Sequence, residues 1–368
     1  MEISLYISFF LCLGIQWAYL YGVFRPLEEY RNKSTISASI SSESQSVSII
    51  IIVKNEIDNL RVLLPLLINQ DYDGDFDIYI IDDHSTDETS EWINTLQYIP
   101  QDKIKYHVLP ESLEGKKQAL SYALNLPTHS FLLMTDADCR PVTNKWISSM
   151  TSAMSDADSI VLGYSPYLIQ PGMLNGLIRL ETTYTAMLYL GMALRGQPYM
   201  GVGRNLLYRK SALIQNKSLS THRHVLSGDD DLTIDELSQY HKMSLQLDPG
   251  SFVESIPKKT WIDWINQKTR HVSTARYYQP SHQRILLLYY SSLLLSWIIP
   301  ILMIWYSPLI LLIMVVYKYL FFYKLKSLVS NTFLQKWSFF PWFIQEGLYV
   351  LILIRLSLTG LIKKTNKW

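Results

Sequence analysis

Apolar residues crowd into the two ends of this chain and leave a region of mixed composition between them. Residues 3–24 contain no charged side chain, and the stretch 285–323 is interrupted by one lysine. A helix rises 1.5 Å per residue, so an apolar run of about 20 residues crosses a hydrocarbon core of roughly 30 Å. Buried helices of a soluble protein can also be apolar, but several runs of this length favour a membrane. The pattern therefore predicts a domain attached to a membrane at both ends.

The first apolar segment is predicted to be a retained anchor and not a cleaved signal peptide. A signal peptide has a basic start, a shorter apolar run and small residues at its cleavage site. This segment follows Glu2 instead and stays aromatic to its end, and Arg25, Arg31 and Lys33 come after it. Because basic residues collect on the cytoplasmic side, the N-terminus is predicted to lie outside and the following domain in the cytoplasm.

The C-terminal region predicts a hairpin of two membrane helices over residues 285–306 and 308–323, with the turn at Ser307 and Pro308. Basic residues mark the end of the second helix, which is predicted to return to the cytoplasmic side. These residues are Lys318, Lys324 and Lys326.

A last apolar stretch, residues 339–359, contains Glu346 and Arg355. Charges at membrane depth are costly unless they are paired or face protein. The sequence leaves open whether this stretch spans the bilayer, lies at its surface or re-enters. Four segments are predicted in all: an anchor over 1–25, a Ser-rich linker over 26–46, a soluble domain over 47–280 and membrane or interfacial helices over 281–368.

Charge and cysteine content narrow the function classes. The net charge of +1 provides no basic field for a nucleic-acid partner. Cys12 and Cys139 are the two cysteines, and they lie far apart in unlike surroundings. This spacing fits neither a disulfide framework nor a zinc site, and it agrees with a reducing compartment.

The soluble region predicts an α/β fold. Residues 47–53 (VSIIIIV) form a β-branched run that is typical of a parallel strand buried on both faces. Strand and helix patterns then alternate, which implies right-handed crossovers and a mostly parallel sheet. The further predicted strands are 76–81, 104–109 and 130–135, and the predicted helices are 56–69, 88–97 and 115–126.

Three of the predicted strands end in polar clusters. These clusters are Lys54-Asn55-Glu56, Asp82-Asp83 and Asp136-Ala137-Asp138. In open α/β sheets, ligands bind at the carboxyl ends of the strands. The three clusters are therefore predicted to converge on one crevice.

Asp136 and Asp138 follow the fourth predicted strand directly, so both carboxylates can approach one cation. Mg²⁺ and Mn²⁺ prefer oxygen ligands and often use one or two carboxylates together with substrate phosphates. Such an ion would stabilise the negative charge on a diphosphate leaving group. The alternative is that Asp138 caps the helix predicted near 141–153.

Two further clusters suit a nucleotide. A carboxylate of Asp82 or Asp83 can accept a hydrogen bond from a ribose hydroxyl or a base N–H, although either residue can also cap the next helix. Lys116 follows Gly115 at a predicted helix N-terminus, where backbone N–H groups and an ammonium together suit a phosphate. A solvated lysine after a loop glycine is an equally good interpretation.

Two glycine-containing segments lie further along the chain. Gly203 lies between Gly201 and Arg204-Asn205, and a glycine there allows the backbone to approach a ligand closely. A purely structural turn is the better interpretation of this segment. Gly228 precedes three consecutive aspartates, Asp229 to Asp231, whose mutual repulsion and burial raise the pKa of the least solvated carboxylate. A carboxylate tuned in this way suits a general base, and one of the three can also cap the following helix.

The segment around 261–276 combines tryptophans, a glutamine and cations. Gln267 and Arg270 can clamp a pyrophosphate, and Trp264 with His271 can contact an acceptor. An amphipathic helix lying on the membrane surface is an interpretation of nearly equal weight.

Taken in order, these motifs resemble the family 2 glycosyltransferases of GT-A fold, from about Val47 to His271. VSIIIIVKNE resembles the opening strand of that family, IDDHSTDET its Asp-rich turn, EGKKQALSYAL its Gly-Lys helix and TDAD its metal motif. SGDDDL and QKTRH fall where the family has Glu-Asp-x-Asp-Leu and Gln-x-x-Arg-Trp. Two departures are Gly228 in place of Glu and His271 in place of Trp.

The resemblance implies a GT-A catalytic domain, with a Rossmann-like, mostly parallel sheet, between membrane helices. It implies inverting transfer of a sugar from a nucleotide sugar, such as a uridine diphosphate sugar, with Mg²⁺ or Mn²⁺. Asp229 is preferred as the base over Asp230, and Asp136 and Asp138 as metal ligands. The implied donor-binding residues are Val53, Asn55, Glu56, Asp82, Asp83, Lys116, Asp136, Gln267 and Arg270. The implied acceptor-binding residues are Gly203, Arg204, Asn205, Trp264 and His271.

The few predicted spans favour single or few additions to a lipid-linked or membrane-proximal acceptor over export of a long polymer. Two alternatives are a processive polysaccharide synthase subunit, which would need further spans from a partner, and an inactive membrane scaffold with the same fold. A nucleotidyltransferase would carry a glycine-rich phosphate loop after the first strand, and residues 53–60 contain no glycine.

Overall fold

A computed structural model of the protein describes residues 2–37, 45–96, 103–215 and 228–362. The chain divides into two compact units. The helical unit comprises Met1–Lys33, Ile169–Gln197 and Pro257–Trp368, and the sheet unit comprises Ser34–Leu168 and Pro198–Ile256.

The helices belong to both units, and a π-helical turn at Leu20–Phe24 joins the first two of them. In chain order they are α1 Glu2–Tyr19, α2 Arg25–Ser37, α3 Ile57–Ile68, α4 Thr89–Asn94, α5 Lys116–Ala123, α6 Trp146–Ser152, α7 Met173–Leu194, α8 Lys210–Gln215, α9 Asp231–Leu237, α10 Trp261–Thr274, α11 Pro280–Leu302, α12 Leu309–Phe333 and α13 Phe339–Ile362. Short 3₁₀ turns occupy Pro249–Ser251 and Ala275–Tyr277.

The strands all lie in the sheet unit. They are β1 Val47–Val53, β2 Phe76–Asp82, β3 Ile104–Val108, β4 Phe131–Asp136, β5 Cys139–Pro141, β6 Asp158–Gly163, β7 Leu206–Arg209, β8 Lys242–Gln246 and β9 Val253–Ser255. Seven of them form one sheet in the order β3-β2-β1-β4-β7-β6-β8, and β5 pairs with β9. Only β7 runs antiparallel to its neighbours in the seven-stranded sheet. The predicted α/β class with a mostly parallel sheet is therefore confirmed.

One face of this sheet packs on α3 to form the main core of the unit. Alternate residues of β1, including Ile49 and Ile51, point to this face and are fully buried. The helix presents leucines at helical spacing, which places them in one stripe against the sheet. These leucines are Leu60, Leu63, Leu64 and Leu67, each at most 1% exposed. Burying each leucine stabilises the fold by roughly 1.5–3 kcal/mol. The apolar residues that predicted the strand and the helix therefore also stabilise the packing of the helix on the sheet.

The predicted soluble domain over 47–280 is divided differently in the structure, because α7 and α10 belong to the helical unit. Side-chain pairs within that unit account for the division. Glu181 on α7 lies 2.5 Å from the Lys268 ammonium on α10, and the Tyr184 hydroxyl on α7 donates to Glu346 on α13 at 2.7 Å. The predicted linker over 26–46 also starts as a helix, since α2 extends to Ser37, and residues 38–44 lie outside the described residues.

Among the described residues, three helices have the length and apolar composition needed to cross a membrane: Glu2–Lys33, Pro280–Leu302 and Phe339–Ser357. The first two agree with the predicted anchor and the first arm of the predicted hairpin. The third lies in residues 339–359, for which the sequence left open whether they span the bilayer, and it has the length and composition of a span. The predicted second arm lies in α12, which is not among the three and which carries three lysines, Lys318, Lys324 and Lys326.

The charge of Glu346 is matched inside the helical unit. Its carboxylate lies 2.6 Å from the Lys318 ammonium and also accepts the Trp297 indole N–H at 3.0 Å. Lys318 and Glu346 are each 1% exposed. A buried ion pair is tolerated when its lone pairs and protons are satisfied, and this network ties α7, α11, α12 and α13 together.

Candidate active site

The carboxyl ends of β1, β2 and β4 meet at one edge of the sheet. The register places Val53 opposite Asp82 on β2, and Ile52 opposite Asp136 on β4. The acidic residues of two neighbouring strands therefore flank the end of the central strand. This arrangement is the convergence that the order of strands and polar clusters predicted.

Asp82 is held by the protein at the end of β2. It is 2% exposed and accepts the backbone N–H of Ser85 at 2.8 Å and the hydroxyl of Tyr106. Its carboxylate thus stabilises the turn after β2. Tyr106 was not found by sequence reasoning, because nothing in the β3 pattern singles out one aromatic residue.

Asp83 connects the ends of two strand–helix units. It is 5% exposed and accepts the backbone N–H of Gly115 at 3.1 and 3.2 Å. The Lys54 ammonium lies 3.6 Å away, and Lys54 is half exposed. A ligand carrying negative charge at this edge would meet the Lys54 cation, which supports the predicted nucleotide-binding role of the edge.

The loops after β1 and β2 brace each other through Asn55. Its side-chain amide oxygen accepts the backbone N–H of Thr86 at 2.7 Å. The backbone N–H of Asn55 donates to the Ser85 hydroxyl at 2.9 Å. Asn55, His84 and Glu88 all have left-handed backbone, with φ of 58°, 59° and 61°. Strained residues of this kind persist where the surroundings fix them, and they cluster at ligand sites.

Lys116 lies at the centre of an acidic cluster. Its ammonium is 2.8 Å from Asp136 and 3.8 Å from Asp229. Burial alone would lower the pKa of Lys116, but attraction to the carboxylates of Asp136, Asp229 and Asp230 outweighs it and raises the pKa. Burial would likewise raise the pKa of Asp136, and the Lys116 cation lowers it instead. Both members of this pair are therefore charged at neutral pH.

The backbone before α5 explains why Lys116 reaches this cluster. Gly115 precedes the helix with a φ of 86°, a conformation that favours glycine over other residues. The chain turns sharply there, so Lys116 is the first helical residue and lies beside the strand ends. The glycine of the predicted Gly-Lys motif therefore allows the turn that places Lys116 at the site.

Asp229 and Asp230 have different surroundings. The carboxylate of Asp230 accepts the backbone N–H of Gly203 at 2.6 Å and that of Asp231 at 3.0 Å, which caps α9. Asp229 directs its carboxylate towards Lys116. One aspartate therefore fixes the loop and the helix, while its neighbour faces the crevice, as the sequence allowed.

The pKa of Asp230 is raised to about 6, by burial first and then by repulsion from Asp229, against an opposing effect of Lys116. A carboxyl normally titrates near pH 4, so between about pH 4 and 6 the folded protein binds more protons than the unfolded chain. The free energy of unfolding is therefore expected to fall as pH rises through this window.

Asp230→Asn is expected to remove this pH-dependent cost, although the amide has one acceptor oxygen and the two backbone N–H groups donate to different carboxylate oxygens in wild type. Without divalent metal, the stability of the variant relative to wild type should therefore rise by about 2 kcal/mol between pH 4.5 and pH 7.5. Thermal unfolding of the full chain in detergent at both pH values measures this. A relative stability that does not rise between the two pH values would show that Asp230 is stabilised as the anion.

Asp136 and Asp138 fit a divalent metal that a substrate helps to bind. Both present carboxylate oxygens at the end of β4, and Asp138 also lies 3.5 Å from the Cys139 thiol. In the described part of the chain, no group of three or more His, Cys, Asp or Glu residues is arranged to hold an ion by itself. Two carboxylates completed by phosphate oxygens are a common Mg²⁺ arrangement.

Arg204 carries the second cation close to these aspartates. Its guanidinium lies 4.6 Å from the centre of the Tyr167 ring. Burial would lower its pKa, but interactions with Tyr167, Cys139, Asp138 and Asp136 raise it. The structure thus places Arg204 beside the predicted metal motif, where a guanidinium can also stabilise a diphosphate.

Asn205 differs from its predicted role as an acceptor-binding residue. It is fully buried, its amide nitrogen donates to the carbonyls of Tyr164 and Ser251, and its oxygen accepts the Trp146 indole N–H at 2.9 Å. With these hydrogen-bonding groups used inside the core, the side chain fixes the loop that carries Gly203 and Arg204. A Gly-x-Gly-Arg-Asn string does not reveal which of its residues points inward.

The four predicted site residues of α10 lie in the helical unit. Trp264 is 1% exposed, Gln267 and Arg270 are half-buried and His271 is exposed.

Val53 is buried on β1, where its carbonyl accepts the Asp83 N–H at 2.8 Å, and Glu56 precedes α3 and accepts from Asn59 at 2.6 Å. The donor and acceptor roles of these residues stay predictions.

A cleft in the sheet unit joins these groups. Its charged lining residues are Lys116, Asp136, Asp229 and Asp230. Its apolar lining residues include Ile50, Ile52, Leu120, Met134, Leu206 and Leu213. The cleft therefore brings the predicted phosphate, metal and base residues of the sheet unit into one place.

Comparisons with known proteins give a family model and similar solved structures. Residues 48–216 match the family model described as Glycosyl transferase family 2. Among solved structures, the mannosyltransferase PcManGT from Pyrobaculum calidifontis in complex with GDP-Man and Mn²⁺ is 16% identical, with a TM-score of 0.57 over 96% of this chain and 100% of that chain. S. aureus TarS 1–349 in complex with UDP-GlcNAc is 13% identical, with a TM-score of 0.44 over 78% of this chain and 81% of that chain. A search of curated proteins gives no match.

Proposed function

We propose that this chain is a family 2 glycosyltransferase of GT-A fold, because residues 48–216 match the model of that family. It would transfer a sugar, with inversion, from a nucleoside diphosphate sugar to a lipid-linked or membrane-proximal hydroxyl. A uridine diphosphate sugar is the proposed donor. The observation that carries the proposal is the position of Lys116 between Asp136, a predicted metal ligand, and Asp229, the predicted base.

Asp229 is the proposed general base. Its carboxylate takes the proton of the acceptor hydroxyl while the hydroxyl oxygen attacks the anomeric carbon. The bond between that carbon and the diphosphate oxygen breaks, and the nucleoside diphosphate leaves with the bonding electrons. Attack from the face opposite the leaving group inverts the anomeric configuration. Asp229 suits this step better than Asp230, whose carboxylate accepts two backbone N–H groups.

Positive charge beside the strand ends supports the departure of the diphosphate. Lys116 and Arg204 would stabilise the charge on the leaving oxygens. Asp136 and Asp138 would hold a divalent metal, which when bound supplies Lewis-acid stabilisation of the same leaving group. Mg²⁺ and Mn²⁺ both suit this oxygen ligand set.

The membrane-proximal acceptor is proposed from the three helices that can cross a bilayer. Arg25, Arg31 and Lys33 lie at the C-terminal end of the first of them, after its uncharged segment 3–24, and support a cytoplasmic catalytic domain. A nucleotide sugar made in the cytoplasm would reach such a domain directly.

Lys116→Gln is expected to lower kcat by about 10²–10³-fold, because it removes a cation beside the developing negative charge. KM for the donor should rise as well, since the same ammonium contacts the phosphates in the ground state. Steady-state kinetics at saturating metal measure both constants. Lys117→Gln, next in the chain, is the matched charge control, and a wild-type kcat for Lys116→Gln would remove the lysine from the mechanism.

The acceptor class is tested by incubating membranes that contain the protein with radiolabelled donors, including UDP-sugars and GDP-mannose, and then partitioning the products. Label in the organic phase, with inverted anomeric configuration, supports a lipid acceptor. Label in a high-molecular-weight polymer would favour the processive alternative. No product and no nucleoside diphosphate with any donor would favour the inactive scaffold.

A further inference from the structure

Helix α10 leaves an apolar face exposed. Trp261, Ile262 and Val272 are 41%, 72% and 40% exposed, and the half-buried Ile265 lies between them. At 100° per residue, these four side chains fall within one sector about 100° wide. A contiguous apolar surface of this kind marks a binding surface more often than a bare solvent face.

A neighbouring sector of α10, which contains Trp264 and Lys268, is fixed within the helical unit. Trp264 is 1% exposed, and Lys268 pairs with Glu181 of α7 at 2.5 Å. The helix also contacts α13, one of the three helices that can cross a membrane. The exposed apolar face is therefore held in place beside a candidate span and is not a surface that simple rotation of the helix would bury.

Cations flank this face at both ends. Lys258 and Lys259 precede the helix, and Arg276 and Arg284 follow it; all four are exposed. Arg284 lies in the second turn of α11, the next candidate span, which begins six residues after α10 ends. Lysine and arginine beside tryptophan are typical of the headgroup level of a bilayer.

We propose that Trp261, Ile262, Ile265 and Val272 of α10 insert into the membrane interface, with Lys258 and Lys259 binding the headgroups of anionic phospholipids. This interaction surface is independent of the sugar-transfer chemistry proposed above. Each lysine near an anionic surface is expected to strengthen the contact about fivefold at physiological ionic strength.

A protein partner is the competing occupant of the same face. The bilayer is favoured because the cations surround the apolar residues, with Asp263 the one exposed acid among residues 258–276. The chain also runs from this helix directly into a candidate span. Protein interfaces, by contrast, tend to be depleted in lysine.

The test places a fluorescent label at Ile262→Cys in the full chain, reconstituted in nanodiscs of zwitterionic lipid with or without anionic phospholipid. Both native cysteines, Cys12 and Cys139, are buried, so the introduced thiol is labelled selectively. Quenching by a water-soluble quencher is expected to be weaker in the anionic nanodiscs. This protection should be lost in high salt and in the double variant Lys258→Gln/Lys259→Gln. Tyr240→Cys, 75% exposed in the sheet unit, is the control position and should be quenched equally in both lipids.

Equal and full quenching at residue 262 in both lipids would overturn the proposal. So would protection that appears only when a second protein is added. Donor turnover in the same nanodiscs is recorded separately, so a loss of sugar transfer with intact protection would count against the proposed function and not against this surface.

Discussion

Asp229→Asn is expected to reduce sugar transfer by about 10²–10⁴-fold, the contribution typical of a positioned general base. The amide keeps the size of the side chain but cannot take the acceptor proton. Donor binding should change less than kcat, because the proposed role of Asp229 is towards the acceptor hydroxyl and not towards the donor. The measurement is kcat for transfer together with donor affinity, both at saturating divalent metal.

Glu236→Gln is the matched control, since it removes one negative charge from α9, the helix that follows Asp229, and should retain most of the activity. Asp230→Asn distinguishes the two candidate bases. Full activity of Asp229→Asn together with loss of activity in Asp230→Asn would move the base to Asp230 and would contradict the assignment made from their hydrogen bonds.

The second large effect is expected from Glu346→Ala in the helical unit. The change leaves the Lys318 ammonium, 1% exposed, without its anionic partner. Removing one member of a buried ion pair typically costs 3–5 kcal/mol. The hydroxyl of Tyr184 and the indole N–H of Trp297 would also lose their acceptor. Thermal unfolding in detergent should show a marked loss of stability.

Removing the charges together separates the cost of an unpaired charge from a general cost of mutation. Lys318→Met/Glu346→Gln should be clearly more stable than Glu346→Ala, because no buried charge is left unpaired and the amide oxygen can still accept hydrogen bonds. If the double variant is as unstable as the single one, packing and not charge pairing dominates this network.

Sequence patterns anticipated the elements of the sheet unit well, and the reason is physical. A β-branched run such as Val47–Val53 can be buried on both faces only in a covered parallel sheet. Leucines at helical spacing in Ile57–Ile68 then required a helix on one of those faces. The ends of these strands carry the acids, so the crevice followed from topology and the carboxyl-end rule.

What the sequence did not reveal depends on contacts between distant residues. The hydroxyl of Tyr106 on Asp82 and the Gly203 N–H on Asp230 join segments that no local pattern connects. The assignment of α7 and α10 to the helical unit rests on pairs such as Glu181–Lys268, far apart in the chain. In the sequence, Glu346 is a costly charge within an apolar segment. The structure shows that Lys318 lies beside it and pairs with it.

Metal-dependent sugar transfer is tested by measuring the release of nucleoside diphosphate from a panel of nucleotide sugars in membranes containing the protein, with Mg²⁺, Mn²⁺ or a chelator. Wild type is compared with Asp138→Asn and Asp229→Asn. We expect release with one donor that depends on the metal, is abolished by the chelator and is lost in both variants. Release that survives the chelator and both substitutions, or no release with any donor in the presence of lipid extract, would show that the proposed function is wrong.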